Sequence, residues 1–221
     1  MKVLVIGASR GIGREFVTQY LGDGAQVTAT ARRPGEVAAL EALGATAFAL
    51  DVTDAVSASG LAWRIDNAGF DTVIVNAGVY GPHTQGLETP TAADFDAVMH
   101  TNVLGAMRMI PQLADALATG ARLAVLSSRM GSMGLREASA GWLYRASKAA
   151  LNSVLKDASL AFAGKATCVA FHPGWVQTDM GGAGADLTPS KSVADMRRTL
   201  SGLTPAQNGS FLNHDGTPLA W

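Results

Sequence analysis

The stretch KVLVIGASRGIG, Lys2–Gly13, decides the fold. Its apolar run, Val3 to Ile6, reads as a buried strand, and Gly7 breaks it at once. Gly7, Gly11 and Gly13 then make a G-x-x-x-G-x-G turn into a helix over Arg14–Leu21, which Gly22 and Gly24 end. Glycines allow a tight turn and let the backbone approach a pyrophosphate, which a helix N-terminus attracts. A glycine turn alone can also be a purely structural strand-to-helix connection. Its place straight after a strand favours the nucleotide reading.

Working outward, β-branched or apolar segments read as strands at Gln26–Thr30, Thr46–Leu50, Asp71–Val75, Arg122–Leu126, Thr167–Phe171 and Ser210–Asn213. Helical segments lie between them: Pro34–Leu43, Ala55–Ile65 with Asp54 as its cap, Thr91–Thr119 kinked at Pro111, Tyr144–Ala163 and Lys191–Leu200. Strands that are apolar throughout and alternate with helices predict an α/β fold, a parallel sheet of about seven strands with helices on both faces. No repeat or linker divides the chain, so residues 1–221 read as one domain. The Gly/Ala-rich segment Gly181–Asp186 reads as a mobile loop.

Composition sets limits on function. With 48% hydrophobic and 16% charged residues the chain is core-rich and not disordered. A net charge of −1 without blocks of like charge gives no reason to expect nucleic acid or an anionic membrane as partner. No apolar run approaches the ~20 residues of a membrane span. The single cysteine, Cys168, excludes an internal disulfide framework and fits a reducing compartment, so a soluble, cytoplasmic protein is expected. His83, His100, His172 and His214 show no metal-ligand spacing, and no metal site is expected.

Two features point to chemistry. The second strand ends Thr30-Ala31-Arg32-Arg33. NAD-preferring folds carry an acidic residue near that point for the ribose 2′-hydroxyl. Here arginines stand instead, with Arg10 in the glycine turn, and a guanidinium suits a 2′-phosphate. Tyr144 and Lys148 lie four apart, on one face of a helix. A free tyrosine has a pKa of about 10, and a nearby ammonium favours its phenolate. Either feature alone has an ordinary reading, as solvated arginines or as a core tyrosine beside a surface lysine.

Taken in order, the motifs resemble the short-chain dehydrogenase/reductase family over nearly the whole chain. The matches are the glycine turn, Asp51-Val52, Asn76-Ala77-Gly78, Asn102, Ser127-Ser128, Tyr144 with Lys148, and Pro173-Gly174. The finer patterns SSRMGS (127–132), YRASKAALN (144–152) and HPGWVQTDMGG (172–182) look like the C-factor and sniffer-type carbonyl reductase branch.

The resemblance implies a Rossmann-type doubly wound sheet and an NADP(H)-dependent oxidoreductase that moves hydride between nicotinamide and a carbonyl or alcohol. The expected direction is reduction of small to medium aldehydes or ketones. It implies a catalytic group of Asn102, Ser128, Tyr144 and Lys148. Tyr144 donates the proton, and Ser128 stabilises charge on the oxygen. Lys148 binds the nicotinamide ribose and depresses the Tyr144 pKa, and Asn102 holds a relay water. Ser128 is preferred to Ser127 because Gly131 follows it in register.

Coenzyme contacts are expected from Gly7, Ser9, Arg10, Gly11, Ile12, Gly13, Arg32, Asp51, Val52, Asn76, Ala77 and Gly78. Tyr144, Lys148, Pro173, Gly174, Val176 and Thr178 complete that set. The family usually forms homodimers or homotetramers through the helices carrying Asn102 and Tyr144.

Two departures are visible: Ile6 stands where the family often has Thr, and the Ser128–Tyr144 segment is long. The extra residues, among Leu135–Gly141, are expected at the substrate pocket. Met130, Met133, Trp142 and Trp175 are candidates for its apolar wall or for the core. The reading from another class is a non-catalytic NADP(H)-binding regulatory or signalling protein. Retention of Tyr, Lys, Ser and Asn weighs for the enzyme.

Overall fold

The computed structural model describes residues 1–221. Seven strands form one sheet: β1 (Lys2–Ile6), β2 (Gln26–Ala31), β3 (Thr46–Ala49), β4 (Phe70–Val75), β5 (Leu117–Leu126), β6 (Ala166–His172) and β7 (Ser210–Asn213). Their order is β3-β2-β1-β4-β5-β6-β7, and every neighbouring pair is parallel. The helices are α1 (Gly11–Gly22), α2 (Pro34–Glu41), α3 (Ala55–Ser59), α4 (Leu61–Arg64), α5 (Ala92–Met99), α6 (Gly105–Met109), α7 (Trp142–Ala161) and α8 (Pro189–Gly202).

Side chains alternate across the sheet, and both faces are covered. From β1, Leu4 and Ile6 join one apolar cluster with Met109 of α6 and Leu151 and Leu155 of α7. Val3 and Val5 join the other, with Phe16 and Val17 of α1 and Val193 and Met196 of α8. Burial on both sides is why these strands read as continuous apolar runs. The chain leaves β1 toward β2 and β3, returns to β4 beside β1, and then builds outward to β7. The order therefore reverses between β1 and β4, and a crevice opens at their carboxyl ends.

Most expected elements form within three residues of their expected limits, α1 beginning at Gly11 instead of Arg14, and three differ in local geometry. The helix expected over Ala55–Ile65 is cut at Gly60 into α3 and α4, with Asp54 capping α3 through the N–H groups of Val56 and Ser57. The segment expected as helix to Thr119 stops earlier. It passes from α5 through a π turn at His100–Leu104 to α6, then tightens to a 3-10 turn over Ile110–Leu113 beside Pro111. Leu117–Thr119 belong to β5, because the Phe70 N–H bonds the Ala116 carbonyl at 2.7 Å and Leu117 pairs with Phe70. Sheet pairing there overrides local helix preference.

The third difference is at α7, which begins two residues early, at Trp142, after Gly141 with φ +67°. A side chain on Gly141 would meet the Tyr80 hydroxyl at 2.4 Å, so the close approach as well as the backbone angle requires glycine. The Gly181–Asp186 segment is pinned: Trp175 Nε1 donates to the Gly181 carbonyl, and the Gln177 side chain donates to that of Ala185.

Candidate active site

The floor of the crevice is built from backbone packed on backbone. The N–H groups of Asn76 and Ala77 both donate to the Ile6 carbonyl, and the Asn76 amide donates to the Gly7 carbonyl at 2.6 Å. A Cβ on Gly7 would lie 2.8 Å from the Ala77 backbone, and one on Gly13 would lie 2.3 Å from the Gly7 carbonyl oxygen. The hydroxyl absent at Ile6 is answered from β2, where Thr30 Oγ1 accepts the Gly7 N–H at 3.1 Å. Above this floor lies a cleft of about 400 Å³.

One end of the cleft carries Arg32 and Asp51. Arg33 is turned away into a capping pair with Glu36, whose Oε1 accepts its Nε at 2.9 Å. Arg32 makes no hydrogen bond or ion pair within the protein. Burial pushes the Asp51 carboxyl up. The Thr53 hydroxyl and N–H and the Arg32 charge outweigh that and hold its pKa below the usual range. Across the opening, Arg10 Nη1 meets Asp179 Oδ2 at 2.6 Å, with both side chains exposed.

At its other end the cleft meets a second cavity of about 680 Å³, and Tyr144 lines both. α7 carries Tyr144 and Lys148 on one face, with Lys148 Nζ 5.6 Å from the centre of the Tyr144 ring. The ammonium donates to the Leu126 carbonyl at 2.7 Å, and burial lowers its pKa to about 8. Burial raises the Tyr144 pKa to about 12, opposed by a hydrogen bond with Ser128 and reinforced by Tyr80.

The expectation that Lys148 depresses the tyrosine is thus not met. Desolvation dominates, and Tyr144 is a phenol across the neutral range. Its ring stacks on Tyr80 at 4.6 Å, and Tyr80 stacks on His83 at the same separation.

Ser128 faces the second cavity, and its Oγ accepts the Met130 N–H at 3.1 Å. Ser127 is tied to Asn152 of α7 through its hydroxyl. Asn102, in the π turn, accepts the Val79 N–H and donates to the Val79 carbonyl, both at 2.8 Å, and donates to Ser147 Oγ at 2.9 Å.

Of the other expected coenzyme residues, Gly7, Ser9, Arg10, Gly11, Ile12, Arg32, Asp51, Val52, Asn76, Ala77, Gly78, Pro173 and Thr178 line the cleft. Gly174 and Val176 line only the second cavity, and Gly13 and Asn102 line neither. Gly13 acts behind the turn, by its closeness to Gly7.

Leu135, Glu137 and Ala138 of the long segment do reach the second cavity. Of the four candidate wall residues, Met130 and Trp175 line it, Met133 is exposed, and Trp142 donates to the Glu88 carbonyl. Sequence reading missed Thr53, Val79 and Thr101 on the cleft and Tyr80 and His83 on the cavity. Val79, Thr53 and Thr101 had a signal, each directly beside a motif: Asn76–Gly78, Asp51-Val52 and Asn102. Cys168 is a buried free thiol whose pKa burial pushes up to about 12.

A doubly wound sheet with a glycine turn at its switch point, and a Tyr–Ser–Lys group where cleft meets cavity, defines a nucleotide-dependent oxidoreductase. Residues 1–186 match the family model described as short chain dehydrogenase, and the chain belongs to that family. The C-signal protein of Myxococcus xanthus is 38% identical over 154 residues, 68% of this chain and 92% of that protein. A short-chain dehydrogenase/reductase from Burkholderia multivorans, solved with bound NADP, is 32% identical with a TM-score of 0.89, covering 100% of this chain and 99% of the other. Carbonyl reductase Sniffer of D. melanogaster is 28% identical with a TM-score of 0.88 over the same shares. These similarities fall in the branch that the motifs resemble.

Proposed function

We propose that the protein is an NADPH-dependent carbonyl reductase acting on aldehydes or ketones. The observation that carries the reading is that Tyr144, a protonated acid at neutral pH, lines both the coenzyme cleft and the adjoining cavity. Bound NADPH supplies the hydride. The Tyr144 phenol donates the proton to the carbonyl oxygen as the carbonyl carbon becomes an alcohol. Ser128, whose hydroxyl shares the second cavity with that phenol, steadies the charge that develops on that oxygen. Lys148 holds the nicotinamide ribose. Asn102 is a positioning residue: it fixes Val79 at the cleft wall and bonds Ser147 of the catalytic helix α7.

The glycine turn, Ser9 and Ile12 cradle the pyrophosphate, with Gly13 as the support behind. Arg32 and Arg10 take the 2′-phosphate, and Asp51 and Val52 take the adenine. Asn76, Ala77 and Gly78 pack on the adenine ribose, and Pro173, Gly174, Val176 and Thr178 meet the carboxamide. One sheet that takes in strands from Lys2 to Asn213 supports a single domain. Exposed Phe95, Met107 and Leu160 on α5, α6 and α7 support a homodimer or homotetramer paired through those helices. The buried free thiol of Cys168 is in keeping with a cytoplasmic location.

The test is NADPH oxidation by purified protein against a panel of aldehydes, ketones and quinones. Turnover that falls by a factor of roughly 10²–10⁴ in Tyr144→Phe, with coenzyme binding kept, is the expected result. NADPH binding without turnover of any panel member, and no effect of Tyr144→Phe, would sink the enzyme reading.

A further inference from the structure

We infer that the carbonyl substrate carries a carboxylate or similar anionic group, and that Arg129 and Arg145 receive it. The inference rests on the carbonyl reductase reading and deepens it. Each arginine follows a catalytic residue in sequence, Arg129 after Ser128 and Arg145 after Tyr144, and both line the same 680 Å³ cavity. Neither has an acidic partner, although Glu137 lines that cavity too. Arg145 spends Nε on the Ala140 carbonyl at 2.9 Å, and its terminal nitrogens make no bond within the protein. Arg129 makes no side-chain bond at all.

Two uncommitted guanidiniums in one cavity against a single carboxylate leave a net positive wall. A planar fork of donors pairs with a carboxylate through two parallel charge-assisted bonds. After burial and His214, the Arg129 charge also helps to hold the pKa of His172, another residue of the lining, down at about 4. His172 is therefore neutral at working pH and adds no competing cation. The rest of the lining is largely apolar, with Met130, Leu135, Trp175, Val176 and Met180. The cavity therefore suits a molecule with a carbonyl at the Tyr144 end, an apolar body and an anionic group. A cavity of this volume lies within the usual range for small-molecule sites.

The test uses the full chain with NADPH and three matched aldehydes: benzaldehyde, 4-formylbenzoate and its methyl ester. The expected result is kcat/KM for 4-formylbenzoate roughly tenfold or more above the other two, carried mostly by KM. That ratio should shrink toward unity in Arg129→Gln and in the Arg129→Gln/Arg145→Gln double variant. It should also fall as salt is raised. Arg136→Gln, on the same exposed segment but outside the cavity, should keep the wild-type ratio.

Equal kcat/KM for charged and neutral aldehydes, or an equal loss of preference in Arg136→Gln, would overturn the inference. If none of the three is turned over, that failure falls on the enzyme reading. The inference is then decided by binding of 4-formylbenzoate and benzaldehyde to the NADP+-loaded protein, followed by calorimetry. A preference for the acid that Arg129→Gln removes upholds it, and no preference overturns it.

Discussion

The two cavities that meet at Tyr144 are built by different physics. The coenzyme cleft rests on main chain: Gly7 against Ala77, Gly13 against the Gly7 carbonyl, Asn76 bonding back to Gly7. The neighbouring cavity is walled by side chains from remote segments: Tyr80 and His83, the 128–138 segment, Arg145 and Trp175. Backbone contact at this range admits only glycine, so the cleft writes itself into the sequence as spacing. A wall of side chains admits many residues of suitable size, so the cavity leaves no comparable mark.

The largest expected effect tests the cleft side. Gly13→Val would drive a branched side chain into the Gly7 carbonyl, a main-chain group that cannot move aside, and against the Asn76 side-chain amide bonded to it. NADPH binding should be lost, and thermal unfolding should register a cost of about 1–3 kcal/mol. A Gly13→Val protein that binds NADPH normally would break the comparison, since the floor would then tolerate side chains.

Next in size is the coenzyme preference. Arg32→Ala should weaken NADPH binding by about 1.5–3 kcal/mol while NADH binding changes little, as titration with each would show. Arg33→Ala is the matched control, because Glu36 already holds Arg33 in the α2 cap. Equal effects of the two substitutions would remove the distinction that the structure draws between neighbouring arginines.

The cavity side should be more forgiving. Tyr80→Phe keeps the ring that stacks on Tyr144 and should leave kcat within about twofold. Tyr80→Ala removes a stacking contact worth about 0.5–1.5 kcal/mol and should cost a few-fold to roughly tenfold in kcat, with NADPH affinity retained. A loss in Tyr80→Ala as large as that in Tyr144→Phe would mean that this wall is as demanding as the cleft floor.

The smallest effect concerns pH. Burial, with the charges of His214 and Arg129, lowers the His172 pKa to about 4 from 6.5. Between those values the unfolded chain binds more protons, so stability rises with pH across that window and is lost as pH falls through it. The His172 contribution should appear as uptake of up to about one proton on unfolding. His172→Gln should flatten the dependence of Tm on pH between about 4 and 6.5 in scanning calorimetry. A wild-type slope that survives the substitution would place that proton uptake elsewhere.

Legibility follows the same division. Strands buried on both faces read directly as apolar runs, and the strand limits were right to within a residue or two except at β5. There Leu117 pairs with Phe70 of β4 and Ala121 with Ala166 of β6, contacts that no local window contains. Gly60 cut a helix that apolar pattern alone carried across it. At the site, the motif residues do come together and Tyr144 is the expected proton donor, but its pKa is raised where a lowering by Lys148 was expected. A spacing of four places Lys148 near the ring, whereas burial, which no spacing reveals, decides the pKa.

By itself the sequence determined the sheet class, the family, the glycine floor and the identity of the Tyr–Lys–Ser group. Each depends on residues whose type is dictated by backbone geometry or by chemistry at fixed local spacing. Only the tertiary structure decided which arginine stays unpaired, that Thr30 supplies the hydroxyl missing at Ile6, and that Tyr144 is a buried phenol. It alone placed Arg129 and Arg145 in one cavity. Those facts turn on desolvation and on contacts between residues far apart in the chain, and both arise only once the sheet is assembled.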